Sequence, residues 1–508
     1  MTSFGPPAVR ETHAALIVLV ADRAYKLKKP VDLGFLDFRD RAERERVCHR
    51  EVELNRRLAP DVYLGVADVL GPDGRPCDHL VVMHRMPEDR RLSTMVRAGQ
   101  PVAEQLRRLA RMLAAFHAEA RRGPEISAEG SRDALLGRWD DTFEQLRPFH
   151  GNVLDDGAAT TVEHLVHDFL AGRAPLFEDR IAAGRVVDGH ADLLADDIFC
   201  LDDGPRVLDC IEFDDQLRYV DGWDDAAFLA MDLEQLGATA SARGFLHWYA
   251  EFSGDAAPIA LRHHYAAYRA FVRAKVACFR HRQGDPRAAA DVAHYTDLTL
   301  RHLREGVVRL ILVGGTPGTG KTTLAGGLAD RLGAVLLSSD RIRKEIAGLD
   351  PDRSAAAGYR HGIYTLEWTE RTYRELLHRA GRLLERGETV VLDASWLRDR
   401  QRKAATRLAS EAHVPLMSLR CTADPGTIAE RLHRRAEAVT AGSDANRMIA
   451  AALTADADHW PEAHTLSTET APAEVVAEAL AFIRAAEGPL ATGPTALPVP
   501  AAGREGEG

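Results

Sequence analysis

Apolar and polar residues follow two different periods along residues 10–300. A period of two predicts strands, whereas a period near 3.6 predicts amphipathic helices. The helical period is plainest where Leu106, Leu109, Leu113 and Phe116 recur on one face. The predicted elements are two strands within 14–30 with a turn at Asp22-Arg23, a helix over 40–58, a strand at 79–87, a helix from Val102 to about Arg121, two short strands within 186–215, and helices from Asp224 to about Glu305 with breaks near 253–258 and 283–286.

The pattern changes at Val307, where strands and helices begin to alternate. Strands are predicted at 307–315, 332–339, 388–396 and 414–421, and helices around 360–386, from Arg398 and from Pro425. This alternation is typical of a parallel sheet with covering helices. The last stretch, 488–508, is rich in Gly, Pro and Ala, so we expect it to be disordered.

Composition narrows the class of protein. A chain of 508 residues is too long to fold around a single hydrophobic core. Its content of 45% hydrophobic and 28% charged residues is ordinary for a soluble globular protein. The net charge of −11 argues against a general binder of nucleic acid or membrane surfaces. The six cysteines form no C-x-x-C pair, so they indicate neither a zinc site nor a disulfide framework. Because no signal peptide or bilayer-spanning run is recognisable, we expect a cytoplasmic location.

Gly315 to Thr322 match the phosphate-binding pattern G-x-x-x-x-G-K-[ST], between a predicted strand and a predicted helix. The loop predicts a site for a nucleoside triphosphate with Mg²⁺, because its backbone N–H groups form an anion nest at a helix N-terminus. Lys321 would reach the β- and γ-phosphates, and the Thr322 hydroxyl would ligate Mg²⁺. The residues of this predicted site are Gly315, Thr316, Pro317, Gly318, Thr319, Gly320, Lys321, Thr322 and Thr323.

Two aspartates follow predicted strands of this region. Asp393 ends an apolar strand and could hold Mg²⁺, although a solvated aspartate at a strand end is the ordinary alternative. Asp340 could accept the proton of an acceptor hydroxyl, with Arg343 or Lys344 holding an anionic group of the substrate. A helix N-cap fits Asp340 equally well, and both roles could hold.

Three arginines lie at helical spacing near the end of the region. Arg431, Arg434 and Arg435 could close over the phosphates and stabilise transferring charge, with Arg431 the candidate for nucleotide binding. Exposed arginines on a helix are usually only solvated, and that alternative stays open.

Residues 308–490 resemble the small P-loop kinases of the gluconate kinase and zeta-toxin type. The strand, the P-loop, SSDRIRKE, VVLDASW and the arginine-rich helix carry this resemblance. It implies ATP-dependent phosphorylation of a hydroxyl on a small molecule, with Asp340 as the matching catalytic base.

A second set of carboxylates lies upstream, in GHADLLADDIF and VLDCIEF. Asp197 follows Asp192 by the five-residue spacing of kinase-like catalytic loops, in which the first residue is the base and the second binds metal. Asp209 lies where the second magnesium ligand is expected. The sequence therefore predicts Asp192 as a catalytic base and Asp197 with Asp209 as Mg²⁺ ligands.

Residues further upstream fit the same order. Lys26 ends the second predicted strand, where a phosphate-pairing lysine would lie, and Glu51 on the next helix could pair with it. Lys28 or Lys29 could instead supply the amine, and a glutamate on a charged helix is normally solvated. The strand VVMHRMP would be the hinge beside the adenine.

Residues 10–300 resemble the aminoglycoside phosphotransferase-like family, which has a protein-kinase-like bilobal fold. The stretches YKLKKPVDLGFLDF, LNRRLAPDVYLGV, and LDCIEFDD with DDAAFLAMDLE carry the match. Ala191 stands where the family usually has glycine, which adds a methyl group at a tight turn. Asp197 stands for the usual asparagine and adds negative charge, and a glycine-rich loop before Lys26 is missing.

Both resemblances together imply an α+β kinase-like domain at 10–300, a P-loop NTPase domain with a parallel α/β fold at 307–487, and a disordered tail at 488–508. The chain as a whole resembles two-part bacterial proteins in which such domains are fused. The implied function is transfer of the γ-phosphate of ATP, with Mg²⁺, to a hydroxyl of a sugar, sugar acid or aminoglycoside-like molecule. The alternative is a P-loop ATPase switch with a degenerate kinase-like sensing module. Acceptor identity and oligomeric state are not predicted.

Overall fold

The computed structural model describes residues 6–12, 14–32, 36–350, 363, 365–437 and 457–486. The chain divides into two compact units. The first unit comprises Met1–Val308, Gly381–Glu388 and Ala409–Val414, and the second comprises Arg309–Ala380, Thr389–Leu408 and Pro415–Gly508. The expected disordered tail at 488–508 lies outside the described residues.

The first unit begins with a five-stranded antiparallel sheet of order β1-β2-β3-β5-β4. Its strands are β1 (Ala8–Glu11), β2 (Ala15–Val20), β3 (Arg23–Lys28), β4 (Tyr63–Leu70) and β5 (Pro76–His84). The predicted pair within 14–30 is confirmed, although its turn lies one residue earlier, at Ala21-Asp22. Alternate residues of β3 are buried, so Ala24, Lys26 and Lys28 share the inner face.

A helix, α1 (Arg41–Asn55), packs on this sheet. The predicted helix over 40–58 is confirmed, and Asp40 caps it by accepting a hydrogen bond from the Ala42 N–H at 3.2 Å. The inner face of α1 and the sheet share an apolar core around Cys48, Val52 and Val81. Burial of that core holds α1 against the sheet, and Glu51 of α1 then contacts Lys26 and Lys28 of β3.

The rest of the first unit is mainly helical. Its helices are α2 (Leu92–Arg97), α3 (Ala103–Glu119), α4 (Pro124–Glu129), α5 (Arg132–Leu146), α6 (Asp156–Ala171), α7 (Ala174–Ala182), α8 (Gly222–Gln235), α9 (Thr239–Ser253), α10 (Ile259–Arg282) and α11 (Ala288–Glu305). The breaks predicted near 253–258 and 283–286 are confirmed, and a third at Gly237 separates α8 from α9. Leu106, Leu109 and Leu113 are buried on α3, as their spacing predicts.

Two short ribbons lie between α7 and α8. In one, β6 (Val186–Asp188) pairs antiparallel with β9 (Tyr219–Asp221); in the other, β7 (Ile198–Leu201) pairs with β8 (Gly204–Val207). Only two strands were predicted within 186–215, whereas three of these four lie there. The ribbons anchor both ends of the segments that carry Asp192, Asp197 and Asp209.

The second unit has a five-stranded sheet of order β11-β12-β10-β13-β14, in which every neighbouring pair is parallel. The elements are β10 (Leu310–Gly314), α12 (Lys321–Leu332), β11 (Val335–Ser338), α13 (Ser339–Ile346), α14 (Leu366–Leu384), β12 (Val390–Asp393), α15 (Asp399–Glu411), β13 (Leu416–Thr422), α16 (Pro425–Glu437), β14 (His464–Ser467) and α17 (Pro472–Ala486). The helix predicted around 360–386 begins at Leu366, and positions 360–362 lie outside the described residues.

The predicted fold classes are confirmed in both units. The first unit segregates its sheet from its helices in a protein-kinase-like α+β arrangement, and the second alternates strand and helix as an α/β unit. All six cysteines are free, and only Cys77 is exposed. None of the described helices combines the length and the apolar character that crossing a bilayer requires.

Candidate active sites

The phosphate loop of the second unit connects β10 to α12. Its glycines Gly315, Gly318 and Gly320 have φ angles of 144°, 86° and 81°, a region that other residues rarely adopt. A Cβ on Gly315 would lie 2.5 Å from Thr319 Oγ1 and 2.8 Å from the Cys421 carbonyl oxygen. The loop is therefore a close-walled backbone cradle, and it fits the phosphate groups of a nucleotide.

The Thr322 hydroxyl, in the first turn of α12, donates a hydrogen bond to Asp393 Oδ2 at 2.9 Å. Asp393 ends β12 and pairs in register with Ser338 of β11 and Val313 of β10. Its carboxylate is buried, so the alternative of a solvated aspartate is wrong. A hydroxyl and a carboxylate oxygen side by side are donors that suit Mg²⁺, so these two residues fit the predicted metal site.

Asp340 lies in the first turn of α13, and the N-cap of that helix is Ser338. The N-cap alternative for Asp340 is therefore wrong. Its carboxylate is half-exposed and pairs with Lys344 Nζ at 2.9 Å. Arg343, the other candidate for holding a substrate, is buried and donates to Thr369 Oγ1 at 3.2 Å. Asp340 is therefore the exposed member of this group, with Lys344 paired to its carboxylate and Arg343 directed to Thr369.

A cleft of about 340 Å³ adjoins the phosphate loop. Arg431 and Arg434 of α16 line it, together with Thr468 and Thr470, which follow β14. Arg431 donates to the Thr468 carbonyl at 2.6 Å, and Thr468 Oγ1 donates to the Thr319 carbonyl at 2.8 Å. Arg431 is therefore connected to the phosphate loop through Thr468 and is not merely solvated.

The other arginines of α16 differ from Arg431. Arg434 is exposed and pairs with Glu430 one turn away, as an ordinary surface arginine does. The side chain of Arg435 lies outside the described residues. Sequence reasoning missed Thr468, although a polar residue directly after a buried parallel strand is a usable signal for a site at that sheet edge.

In the first unit, Lys26 contacts Glu51, its predicted partner, and also Asp209, a predicted Mg²⁺ ligand. Its Nζ lies 2.9 Å from Glu51 Oε1 and 2.5 Å from Asp209 Oδ1. Glu51 is fully buried, so the solvated alternative for this residue is wrong. Burial raises the pKa of Glu51, but the charges of Lys26 and Lys28 outweigh it and hold that pKa below its usual value.

The structure separates the three candidate lysines. Lys29 directly follows β3, and its Nζ pairs with Glu11 of β1 at 2.5 Å. Lys28 is buried beside Lys26, 2.6 Å from Glu51 Oε2, and also contacts the carboxylate of Glu212. Lys26 alone of the three contacts Asp209 as well as Glu51, and it is the phosphate-pairing candidate. Lys28 holds Glu51 from its other oxygen and is itself paired with Glu212, a partner that sequence reasoning missed.

The loop that carries Asp192 is held by a buried aspartate on α8. Asp225 accepts hydrogen bonds from the backbone N–H groups of His190, at 2.7 Å, and Ala191, at 2.6 Å. Arg269 of α10 donates to the Ala191 carbonyl at 3.0 Å and forms two bonds to Asp224. These three supports were missed. Two acids that open an otherwise apolar helix, DDAAFLAM, are the signal that could have shown them.

The three predicted carboxylates of this loop region repel one another. Burial and the charge of Asp209 raise the pKa of Asp192 and Arg273 lowers it, and the net value is about 6. Burial, Asp209 and Asp192 together hold the pKa of Asp197 well above its usual value. Burial also raises the pKa of Asp209, but contact with Lys26 lowers it overall. Oxygen ligands with surplus negative charge fit a divalent cation such as Mg²⁺.

Ala191 has a φ of +70°, a backbone conformation that favours glycine and in which a methyl group is strained. We expect Ala191→Gly to raise the free energy of unfolding by about 0.5–1 kcal/mol, because relief of this strain exceeds the added entropy of the unfolded chain. Urea denaturation measures the change. Ala115→Gly, at an exposed position within α3, is the control and should lower stability by about 1 kcal/mol. A loss of stability in Ala191→Gly would contradict the strain.

Topology and site geometry together define the class of protein: the chain carries two kinase-type domains. Residues 310–458 match a family described as AAA domain. The chain is 45% identical over 460 residues to Uncharacterized protein Rv2004c of Mycobacterium tuberculosis, across 91% of this chain and 92% of that protein. Uncharacterized protein Mb2027c of Mycobacterium bovis matches to the same extent. The chain belongs to the family of these mycobacterial proteins.

Two solved structures are similar to single parts of the chain. A choline/ethanolamine kinase family protein from Mesorhizobium loti aligns at 16% identity and a TM-score of 0.38, over 59% of this chain and 92% of its own. A gluconokinase from Sinorhizobium meliloti 1021 aligns at 20% identity and a TM-score of 0.24, over 36% and 94%. These TM-scores are low, and the fold of each unit rests on its own topology.

Proposed function

We propose that this protein is an ATP-dependent phosphotransferase with two active sites, each of which transfers the γ-phosphate of ATP to a hydroxyl of a small molecule. The main support for the proposal is that Lys26 forms ion pairs with both Glu51 and Asp209. A lysine that is held between these carboxylates is positioned to meet nucleotide phosphates. A merely structural domain has no need of such a buried charge cluster, which costs desolvation energy.

In the first unit, Asp192 accepts the proton of the acceptor hydroxyl. The hydroxyl oxygen bonds to the γ-phosphorus, the bond from that phosphorus to the β–γ bridging oxygen breaks, and ADP leaves. A pKa of about 6 suits Asp192 to this task, because it is ionised at neutral pH and still basic enough to take a proton. Asp197 and Asp209 would hold Mg²⁺, which would supply positive charge beside the phosphates.

In the second unit, the same transfer uses different groups. The glycine cradle and Lys321 hold the β- and γ-phosphates, and Thr322 with Asp393 holds the metal. Asp340 is half-exposed at the carboxyl edge of the sheet and takes the proton of the acceptor hydroxyl. Lys344 beside it favours an acceptor with an anionic group, such as a sugar acid.

A screen of ADP release over sugars, sugar acids and aminoglycosides tests the proposal on the full chain with ATP and Mg²⁺. We expect at least one acceptor to raise ADP release well above the rate of hydrolysis in water, with a phosphorylated acceptor as the second product. ADP release that no acceptor changes would contradict the proposal. It would favour the alternative of a P-loop ATPase switch with a degenerate kinase-like module.

A further inference from the structure

Two histidines of the first unit face each other between α10 and α11, and the pair shares no residue with either candidate active site. His263 Nδ1 and His302 Nδ1 lie 2.9 Å apart, across 39 positions of sequence. Glu305 Oε2, one turn beyond His302, lies 3.8 Å from His263 Nδ1. One possible ligand atom of each of the three residues lies within 4.8 Å of the other two. The chain thus brings two imidazole nitrogens and a carboxylate oxygen to one point.

A buried carboxylate sets the tautomer of one imidazole. Glu234 Oε2 of α8 lies 3.2 Å from His302 Nε2, and Arg301 pairs with the same carboxylate. This contact favours a proton on His302 Nε2, where it donates to the carboxylate, and leaves Nδ1 facing His263. Carboxylates commonly support metal-binding histidines in this way.

The second imidazole, that of His263, approaches His302 closely, and the proton that one Nδ1 donates to the other has to leave or move to Nε2 when both nitrogens bind a metal. Gly306, directly after Glu305, allows the approach, because a Cβ there would lie 2.8 Å from the His263 Cβ. Exposure increases across the site, because His302 is buried, His263 is partly exposed and Glu305 is half-exposed.

We propose that His263, His302 and Glu305 bind a divalent transition-metal ion of the Zn²⁺ type, with solvent as the fourth ligand. Two imidazole nitrogens and one carboxylate suit Zn²⁺ and Co²⁺, whereas Mg²⁺ and Ca²⁺ prefer oxygen ligands alone. Metal–nitrogen bonds of about 2.0–2.1 Å place two ligand nitrogens about 3.4 Å apart in a tetrahedral site. The present 2.9 Å separation needs to open by only about half an ångström.

Such an ion would cross-link the last two helices of the first unit. α10 supplies Arg269, which holds the loop of Asp192, so the metal would stabilise the helix that supports that loop. Its effect on the unit is predicted to be structural, because none of its ligands contacts the carboxylates of the active site. The cysteines gave no signal for this site, since its ligands are histidines far apart in sequence.

Titration of the full chain with Co²⁺ tests the site, and excess Mg²⁺ keeps the oxygen-ligand sites occupied. We expect one equivalent of Co²⁺ to give the intense visible absorption of a four-coordinate site and Zn²⁺ to displace it. His302→Gln should abolish the band, while its amide can still donate to Glu234. Glu305→Gln, at a half-exposed position that folding tolerates, should weaken Co²⁺ binding about tenfold or more. His294→Asn, an exposed histidine on the same helix, is the matched control and should leave binding unchanged.

The same proteins report on stability. Zn²⁺ should raise the Tm of the parent and of His294→Asn in a concentration-dependent way, but leave that of His302→Gln unchanged, because only binding to the folded state stabilises it. Absence of the absorption band in the parent at micromolar Co²⁺ would overturn the proposal and leave an ordinary hydrogen bond between the histidines. Equal bands in the parent, His302→Gln and Glu305→Gln would also overturn it, because the ion would then bind elsewhere.

Discussion

Replacement of Lys321 with alanine is expected to lower the phosphotransfer rate of the second unit by about 10²–10³-fold. The ammonium group at the start of α12 is the cation expected at the β- and γ-phosphates, where negative charge shifts during transfer. Its loss removes an interaction that is strongest in the transition state, so kcat should fall more than the affinity for ATP. Steady-state ADP release with the best acceptor, together with nucleotide binding by calorimetry, measures both effects.

The control for this variant is Lys403→Ala, which removes the same charge from an exposed position on α15. It should leave the rate within about twofold of the parent, because surface ion pairs of this kind contribute little. The acceptor-dependent activity that survives in Lys321→Ala would belong to the first unit. If Lys321→Ala changes neither nucleotide binding nor any acceptor-dependent rate, the phosphate loop is not a donor site.

Replacement of Asp192 with asparagine is expected to lower the phosphotransfer rate of the first unit by about 10²–10⁴-fold. The amide keeps the size and the hydrogen-bonding geometry of the side chain but cannot take the proton of the acceptor. Affinity for ATP should change little, since Lys26, Asp197 and Asp209 remain. Asp203→Asn, at an exposed position on the turn between β7 and β8, is the control and should keep full activity.

The pH dependence of the parent follows from the same residue. Because the pKa of Asp192 is about 6, its base form is lost as the pH falls below that value. The rate of the first unit should therefore fall about tenfold for each pH unit below about 6. Asp192→Asn should lose this limb of the profile. A profile with the same limb in the parent and the variant would assign the catalytic base to another group.

Stability should move in the opposite direction to activity. A carboxyl whose pKa is raised by folding disfavours the folded state when it is ionised, so the penalty is present above pH 6 and absent below about pH 4. Without metal or nucleotide, the free energy of unfolding of Asp192→Asn at pH 7.5 should be up to about 3 kcal/mol higher than that of the parent. The difference should vanish near pH 4, and denaturant curves at the two pH values measure it. Equal stability at pH 7.5 would mean that the carboxylate is well solvated.

Much of both sites could be predicted because their signals are local in sequence. The phosphate loop needs glycines at fixed positions between a strand and a helix, and Gly315, Gly318 and Gly320 adopt the backbone angles that this pattern requires. The order of Lys26, Glu51, Asp192, Asp197 and Asp209 along the chain was enough to predict a kinase-like arrangement. The period of two in β3 also determined that Lys26 and Lys28 share a face.

The supporting residues could not be predicted in the same way. Glu212 meets Lys28 across 184 positions, Asp225 meets the His190 N–H across 35, and Arg269 meets the Ala191 carbonyl across 78. The acids of DDAAFLAM mark Asp225 as unusual, but no local pattern shows which atoms it or the other residues meet, because each contact exists only after the helices pack. Burial decides their importance, since a charge removed from water must find such a partner.

By itself the sequence determined most of the elements, the change of fold class at Val307 and the glycine pattern of the phosphate loop. Those features depend on hydrophobic period, glycine geometry and fixed spacing, which act over a few residues. Only the tertiary structure decided that Lys26 rather than Lys29 contacts Asp209, that Asp393 is buried against Thr322, and that His263 faces His302. Each of these depends on how distant elements pack, and the free energy of packing is shared among contacts that no single stretch of sequence contains.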